Sequence, residues 1–353
     1  MKRRSRQVTA RGVAIGGGAP ITIQSMLSAP SEDKAACLAQ LRRLEDCGCQ
    51  IVRMAVNSAE ALDTLSYLLP RTSLPLVADI HFDYKLALDA AAAGVSKIRI
   101  NPGNIGTPDR VEKVARACGD RNIPIRIGIN GGSLEKGLLA KHGGPTAEAI
   151  AESAVNNAKM LERYGFSDIV LSVKSSSVPT MIAANRLLAE RTDYPLHLGV
   201  TETGTGAPAL IKSAVGIGAL LADGIGDTMR VSLTEDVREE VLAAKTILQS
   251  LGLRQGINLI SCPTCGRTRF DLIGKAKELK ARLDGISCDR QINLALMGCI
   301  VNGPGEAAEA DLGAAGAGEE AVIFRKGAVL RRVHTDVVVD ELINELMKMI
   351  DGE

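Results

Sequence analysis

The chain has 353 residues, of which 46% are hydrophobic and 24% charged, with a formal net charge of +1. This is an ordinary globular composition, which excludes extended disorder, and its charge balance excludes a general nucleic-acid binder. Aromatic residues amount to 2% with no Trp, so stacking platforms for bases or sugars are excluded too. Charged or Pro residues interrupt every apolar run before it reaches the length of a membrane span. The opening Met1-Lys2-Arg3-Arg4-Ser5-Arg6 is basic, but the apolar segment of a secretory signal does not follow it. A cytoplasmic location with reduced cysteines is expected, without a membrane or nucleic-acid partner.

In chain order, residues 7–18 predict a small hairpin with a Gly-rich turn. Eight β-rich runs come next, at 21–26, 51–56, 75–80, 97–102, 124–129, 168–174, 195–200 and 227–233. Each leads into an Ala/Leu-rich amphipathic stretch. Eight βα units in sequence predict a closed (β/α)8 TIM barrel over residues 1–253, with the N-terminal hairpin covering its bottom. An open doubly wound sheet is the alternative, but the Gly-x-Gly-x-x-Gly of a dinucleotide fold is missing after the first run. Cys37, Cys47, Cys49 and Cys118 fall in or at the ends of helical stretches and read as small buried hydrophobes. After the eighth run Thr234 is placed to cap a helix with Glu235 and Asp236 in its first turn. Run to Gly252, that helix travels roughly 27 Å back along the barrel.

Beyond it the pattern changes. A strand at 256–261, a helix, a strand at 291–297, a hairpin at 321–333 around Lys326-Gly327 and a terminal helix near 335–350 predict a smaller α+β domain over 254–353.

Strand parity points to chemistry. In Lys97-Ile98-Arg99-Ile100-Asn101 the isoleucines share one face, which must meet the helices, so Arg99 and Asn101 point into the barrel. The same test turns Arg53, Asp79, His81, Arg126, Asn130, Ser172, Lys174, His197, Thr201, Arg230 and Ser232 inward. Barrel interiors are ordinarily filled with Val, Ile and Leu. Five inward cations are costly to bury without partners, and the inward positions supply few carboxylates. The pattern therefore predicts a polyanion site at the C-terminal mouth, with His197 lower in its strand as a structural residue.

In the second domain Cys262 and Cys265 form a Cys-x2-Cys turn, and Cys299 lies in a loop rich in Gly and Pro. Two thiolates on one tight turn can share a metal or a cluster. A zinc ribbon would repeat the knuckle or add His, and neither is found around Cys299. Three cysteines with an unusual fourth ligand suit a [4Fe-4S] cluster, and both Glu306 and Cys288 remain open as that ligand.

The stretches around Cys262-Pro263-Thr264-Cys265, Gly298-Cys299 to Glu306, Asp79 to Asp83, Arg99 to Gly106 and His197 to Glu202 resemble the 4-hydroxy-3-methylbut-2-enyl diphosphate synthase family. These are the iron–sulfur reductases of the non-mevalonate isoprenoid pathway, and the chain resembles their short two-domain bacterial form from about residue 6 to its end. The resemblance implies Cys262, Cys265, Cys299 and Glu306 as the cluster ligands. It implies 2-C-methyl-D-erythritol 2,4-cyclodiphosphate as substrate, opened reductively with two electrons from ferredoxin or flavodoxin. Arg53, Arg99, Arg126, Lys174 and Arg230 would then bind the diphosphate with help from Asn101, Asn130 and Ser232. Asp79 and His81 would orient the site, and Glu202 at the mouth would give a proton to the departing hydroxyl. Because the last barrel helix leads away from the mouth, a head-to-tail homodimer is expected, each cluster domain serving its partner's barrel.

Overall fold

The computed structural model describes residues 2–286, 288–300 and 310–352. The chain divides into two compact units, Met1–Leu251 and Gly252–Glu353.

The first unit opens with a hairpin of β1 (Gln7–Ala10) and β2 (Val13–Gly16). Eight parallel strands follow: β3 (Thr22–Met26), β4 (Ile51–Ala55), β5 (Leu76–Asp79), β6 (Lys97–Ile100), β7 (Ile125–Asn130), β8 (Ile169–Lys174), β9 (His197–Leu198) and β10 (Thr228–Met229). Their order is β8-β7-β6-β5-β4-β3-β10-β9, and a parallel bridge from Leu171 to Leu196 closes the ring. The fold is a (β/α)8 barrel. Two of the predicted runs shrink to two-residue strands. For β9 the reason is local: Pro195 on one side has no N–H for the ladder, and Gly199 on the other weakens it.

The helices are α1 (Lys34–Asp46), α2 (Ala59–Leu68), α3 (Tyr84–Ala92), α4 (Pro102–Ile105), α5 (Pro108–Gly119), α6 (Lys136–His142), α7 (Ala147–Glu162), α8 (Val178–Arg191), α9 (Gly206–Ala222) and α10 (Val237–Ser250). Asp33, Ser58, Asp83, Thr146 and Ser177 begin five of them by accepting from backbone N–H groups of the first turn. The cap of α10 corrects the sequence reading. Asp236 accepts there, whereas the Thr234 N–H donates to the Gly204 carbonyl at 3.0 Å. The helix is one turn shorter than expected, about 21 Å.

The core lies between strands and helices, where Ile98, Ile100, Ile125, Ile127 and Ile129 are buried with Cys37, Cys47, Cys49 and Cys118. Burial pushes the thiols of Cys49 and Cys118 up to about 12, as inert packing groups require. A separate apolar cluster seals the floor. Val8, Ala10 and Ile15 of the hairpin pack with Ile51, Val77 and Val170, the first inward residues of three strands. The hairpin turn is Arg11-Gly12, with φ of 44° and 83°, the two-residue turn whose twist suits a hairpin. The Gly-rich run expected there comes after β2 instead.

The second unit contains β11 (Ile257–Ser261), α11 (Leu272–Leu283), β12 (Ile292–Met297), β13 (Leu312–Gly316), β14 (Glu320–Arg325), β15 (Ala328–His334) and α12 (Val338–Asp351). Its sheet runs β11-β12-β13-β14-β15, parallel over the first three strands and antiparallel thereafter. Leu272, Leu279 and Leu283 of α11 and Leu342 and Leu346 of α12 share a core with Leu294, Leu296 and Ile323. The Lys326-Gly327 turn is where the sequence placed it, with φ of 48° and 78°. Strand β13 has no signature in the sequence, since Leu-Gly-Ala-Ala-Gly carries no β-branched residue. Among the described residues no helix is long and apolar enough to cross a membrane.

Candidate active site

The inward faces of the barrel strands converge on a cavity of about 230 Å³. Its wall is formed by Met26, Arg53, Asp79, His81, Arg99, Arg126, Gly128, Asn130, Ser172, Lys174, Thr201, Arg230 and Ser232. All of them except Arg126, the second residue of β7, sit in the middle of their strands or beyond, so the cavity opens at the mouth. The parity argument thus places eleven of the wall residues, all but Met26 and Gly128.

Three other residues named from the sequence lie elsewhere. Asn101 is buried beside the mouth, where its Oδ1 accepts from the Gly103 N–H at 3.2 Å and caps α4; it is outside the cavity wall. His197 is fully buried deeper in the barrel. Glu202 is exposed on the loop after β9 with φ of 56° and is not part of the wall.

Two buried carboxylates organise the cations. Asp79 accepts from Arg99 Nη1 at 3.1 Å and faces Arg53 Nε at 3.5 Å and His81 Nε2 at 3.6 Å. Burial pushes the Asp79 carboxyl up, but Arg53, then Arg99 and Arg126, outweigh it and hold it below the ordinary range. The second carboxylate adds to the few that the inward strand positions supply. Glu240, on α10 rather than on a strand, takes both Nε and Nη2 of Arg230 at 3.0 and 2.8 Å, and accepts from Ser25 Oγ at 2.8 Å. Helix position gave parity no means of finding it. Met26 adds a soft contact, its sulfur lying 2.8 Å from Arg53 Nη2.

The remaining charge is uncompensated. Among the described residues five cations line the cavity, and two carboxylates face them. Arg126 is 1% exposed, and its Nε and Nη1 have no hydrogen-bond partner among the described residues. Burial, Arg53 and Arg99 all press against its charge, yet a guanidinium keeps its proton in a protein. The strain falls on the lysine. Burial first, then Arg126, Arg230 and Arg53, drives Lys174 well below its ordinary value. A site in this condition gains by binding a polyanion.

Glycines create the space. A Cβ on Gly128 would lie 2.5 Å from Arg99 Nε, whose Nη2 donates to the Gly128 carbonyl at 3.1 Å. Gly199 does the same for Lys174. Both are inward positions on their strands, a signal that parity carries once small residues are read as room for large neighbours.

In the second unit the cysteine turn lies at the C-terminal end of β11, and Cys299 just past the end of its parallel neighbour β12. Thr264 within the turn has φ of 65°. Thr268 folds the turn back, its Oγ1 accepting from the Cys265 N–H at 3.3 Å. A Cβ on Gly298 would lie 2.6 Å from that oxygen, so glycine is needed where the turn meets the Cys299 loop. The Gly298 N–H donates to Cys262 Sγ at 3.3 Å, as N–H groups do to cluster sulfurs. Three thiols at one end of a sheet, with an amide aimed at the first, are the donor chemistry an iron–sulfur cluster takes. Cys288 lies between α11 and β12, its Sγ 3.3 Å from the Arg290 carbonyl. Glu306 lies outside the described residues, and among those described no three ligating side chains are grouped closely enough to hold a metal ion by themselves.

Fold and site together define a (β/α)8-barrel enzyme with a cationic interior, extended by a cysteine-bearing domain. The comparisons with known proteins make this specific. Residues 5–245 match the GcpE TIM-barrel domain and residues 258–348 the GcpE protein C-terminal domain. The chain belongs to the GcpE family. It is 52% identical over 343 residues to the 4-hydroxy-3-methylbut-2-en-1-yl diphosphate synthase (flavodoxin) of Clostridium perfringens, covering 97% of this chain and 98% of that one. It is 51% identical over 351 residues to the enzyme of the same name from Geobacter sulfurreducens, covering 99% of each. Among solved structures, dihydropteroate synthase from Stenotrophomonas maltophilia with active site-bound imidazole matches with a TM-score of 0.52 at 15% identity. That match covers 70% of this chain and 98% of the other, and it shows the barrel fold alone.

Proposed function

We propose that the protein catalyses the reductive ring opening and dehydration of 2-C-methyl-D-erythritol 2,4-cyclodiphosphate to 4-hydroxy-3-methylbut-2-enyl diphosphate, in isoprenoid synthesis by the non-mevalonate route. The observation that carries the reading is a cavity lined by five cations, with Asp79 in its wall and Glu240 behind Arg230, in a member of this family. The reaction balances as the cyclodiphosphate dianion, two electrons and one proton giving the linear diphosphate trianion and water.

Arg53, Arg99, Arg126, Lys174 and Arg230 hold the ring diphosphate, and Asn130 and Ser232 add neutral hydrogen bonds. When the carbon–oxygen bond to phosphate breaks, the freed oxygen gains charge, and cations already fixed by Asp79 and Glu240 stabilise it without rearranging. Asp79 and His81 keep Arg53 and Arg99 in place. Glu202 gives the proton to the departing hydroxyl. Cys262, Cys265, Cys299 and Glu306 hold a [4Fe-4S] cluster, which supplies one-electron reduction when bound. The named relatives support flavodoxin as the electron donor.

The proposed assembly is a head-to-tail homodimer, supported by the course of α10, which carries the chain about 21 Å from the mouth of its own barrel. A cytoplasmic location is proposed because the four buried barrel cysteines pack as unbridged side chains. Anaerobically purified protein, supplied with the cyclodiphosphate and a chemical reductant, should release the linear diphosphate. Absence of that product from protein loaded with iron and sulfide would overturn the reading.

A further inference from the structure

Beneath the cavity the barrel carries polar groups that the reaction does not use. Lys97, His197 and Gln24 are all buried. Lys97 Nζ, both ring nitrogens of His197 and both amide atoms of Gln24 have no hydrogen-bond partner among the described residues. Lys97 shares the inner face of β6 with Arg99 but sits two residues, roughly 6.6 Å, closer to the floor. Its register partner on β5 is Val77, part of the apolar seal under the barrel.

The charged and titratable groups that face Lys97 are Arg126 on β7, Arg53 on β4 and His197 on β9. Burial, followed by Arg126, Lys174 and Lys97, holds His197 neutral. The interior carboxylates are engaged elsewhere, Asp79 by Arg53 and Arg99 and Glu240 by Arg230. An ammonium in this position is shut off from bulk solvent and has no carboxylate partner among the described residues, and it is cheaper for the amine to shed its proton. A polyanion bound against Arg126 reverses that balance by bringing the negative charge the floor lacks.

We propose that Lys97 is a positioning residue acting through Arg126: in mildly alkaline solution it is neutral in the absence of an anion and takes up a proton when a diphosphate binds above it. The inference rests on the anion-site reading of the cavity and adds to it a coupling between binding and protonation. Burial, then Arg126 and Arg53, lowers the amine to about 7. Affinity for a diphosphate should therefore fall as pH rises above that value, because the proton must be drawn from an increasingly basic solution.

The test is calorimetric titration of inorganic pyrophosphate into the full chain at about pH 8.5, between the folded and the ordinary lysine values, in buffers of different ionisation enthalpy, which counts protons taken up. Lys174 contributes a background, and the ligand's own protons cancel between variants. Wild type should take up more protons than Lys97→Met, the difference approaching about one per site. Equal proton counts in two proteins that both bind pyrophosphate would overturn the inference and leave the anion site standing. Failure of wild type to bind would overturn the anion site and this inference with it.

A second measurement needs no ligand. Above about pH 7 the unfolded lysine binds a proton that the folded one does not, so the burial penalty is relieved as pH rises toward about 10.5. Wild-type stability should rise more steeply over that window than that of Lys97→Met, and the variant should have the higher Tm at neutral pH. Identical slopes would contradict a neutral Lys97.

Discussion

Gly199 leaves room for the ammonium of Lys174: a Cβ on Gly199 would come within 2.5 Å of Nζ and within 2.8 Å of the Arg230 carbonyl oxygen. One missing methyl thus sets the position of a cation from the adjoining strand and of the backbone that carries another. Gly199→Ala should displace Lys174 and strain β10. Overpacking of this kind costs about 1–3 kcal/mol in stability. Pyrophosphate affinity should drop by about tenfold, the value of one misplaced charge-assisted contact. Unchanged affinity in calorimetry would show that Lys174 does not need this space to reach the anion.

Asp79 is the counterion on which two arginines depend. Asp79→Asn should cost about 3 kcal/mol or more, because it leaves buried guanidinium groups unpaired. The pH dependence has a definite sign. Arg53 and Arg99 hold the folded-state value below the ordinary one. The stabilisation is therefore present above the unfolded value of about 3.9 and is lost as pH falls through the lower folded value. Chemical denaturation of wild type should show this acid loss, and Asp79→Asn should not.

The barrel interior was legible because the period of a strand is two. Arg99 and Arg126 alternate with isoleucines that can only face helices, so their direction follows from the sequence. Met26 and Gly128 obey the same parity and were missed because neither carries a polar side chain. Glu240 was not legible at all, since a helix residue reaches Arg230 only through the closed barrel. In the second unit the Lys326-Gly327 turn declared itself through its φ requirements. Strand β13 did not, because Gly313 is there to seat Phe324, whose ring a Cβ would meet at 2.4 Å. That requirement belongs to the partner strand and leaves no local mark.

The proposed ligand set predicts a simple pattern. Cys262→Ser, Cys265→Ser, Cys299→Ser and Glu306→Ala should each lose iron, while Cys288→Ser should keep it. Iron and sulfide analysis of anaerobic protein, with the charge-transfer absorbance, reads the result. Loss of iron in Cys288→Ser with full retention in Glu306→Ala would reverse the assignment of the fourth ligand.

The proposed head-to-tail dimer makes a prediction about mixtures. Subunits with Cys299→Ser and subunits with Arg126→Ala should each be inactive. Together they should regain activity, since one mouth then combines an intact barrel with an intact cluster domain. Absence of recovery in proven mixed dimers would assign both halves of each site to one chain.

The central claim is that the barrel cations, and not the cysteine domain, hold the diphosphate. Equilibrium binding of the cyclodiphosphate without reductant tests it most directly, comparing wild type, Arg126→Met and Cys299→Ser. Arg126→Met should weaken binding by about ten- to a hundredfold, the value of a lost charge-assisted phosphate contact. Cys299→Ser should bind within a few-fold of wild type although its iron is gone. Binding that survives in Arg126→Met and vanishes in Cys299→Ser would contradict the account.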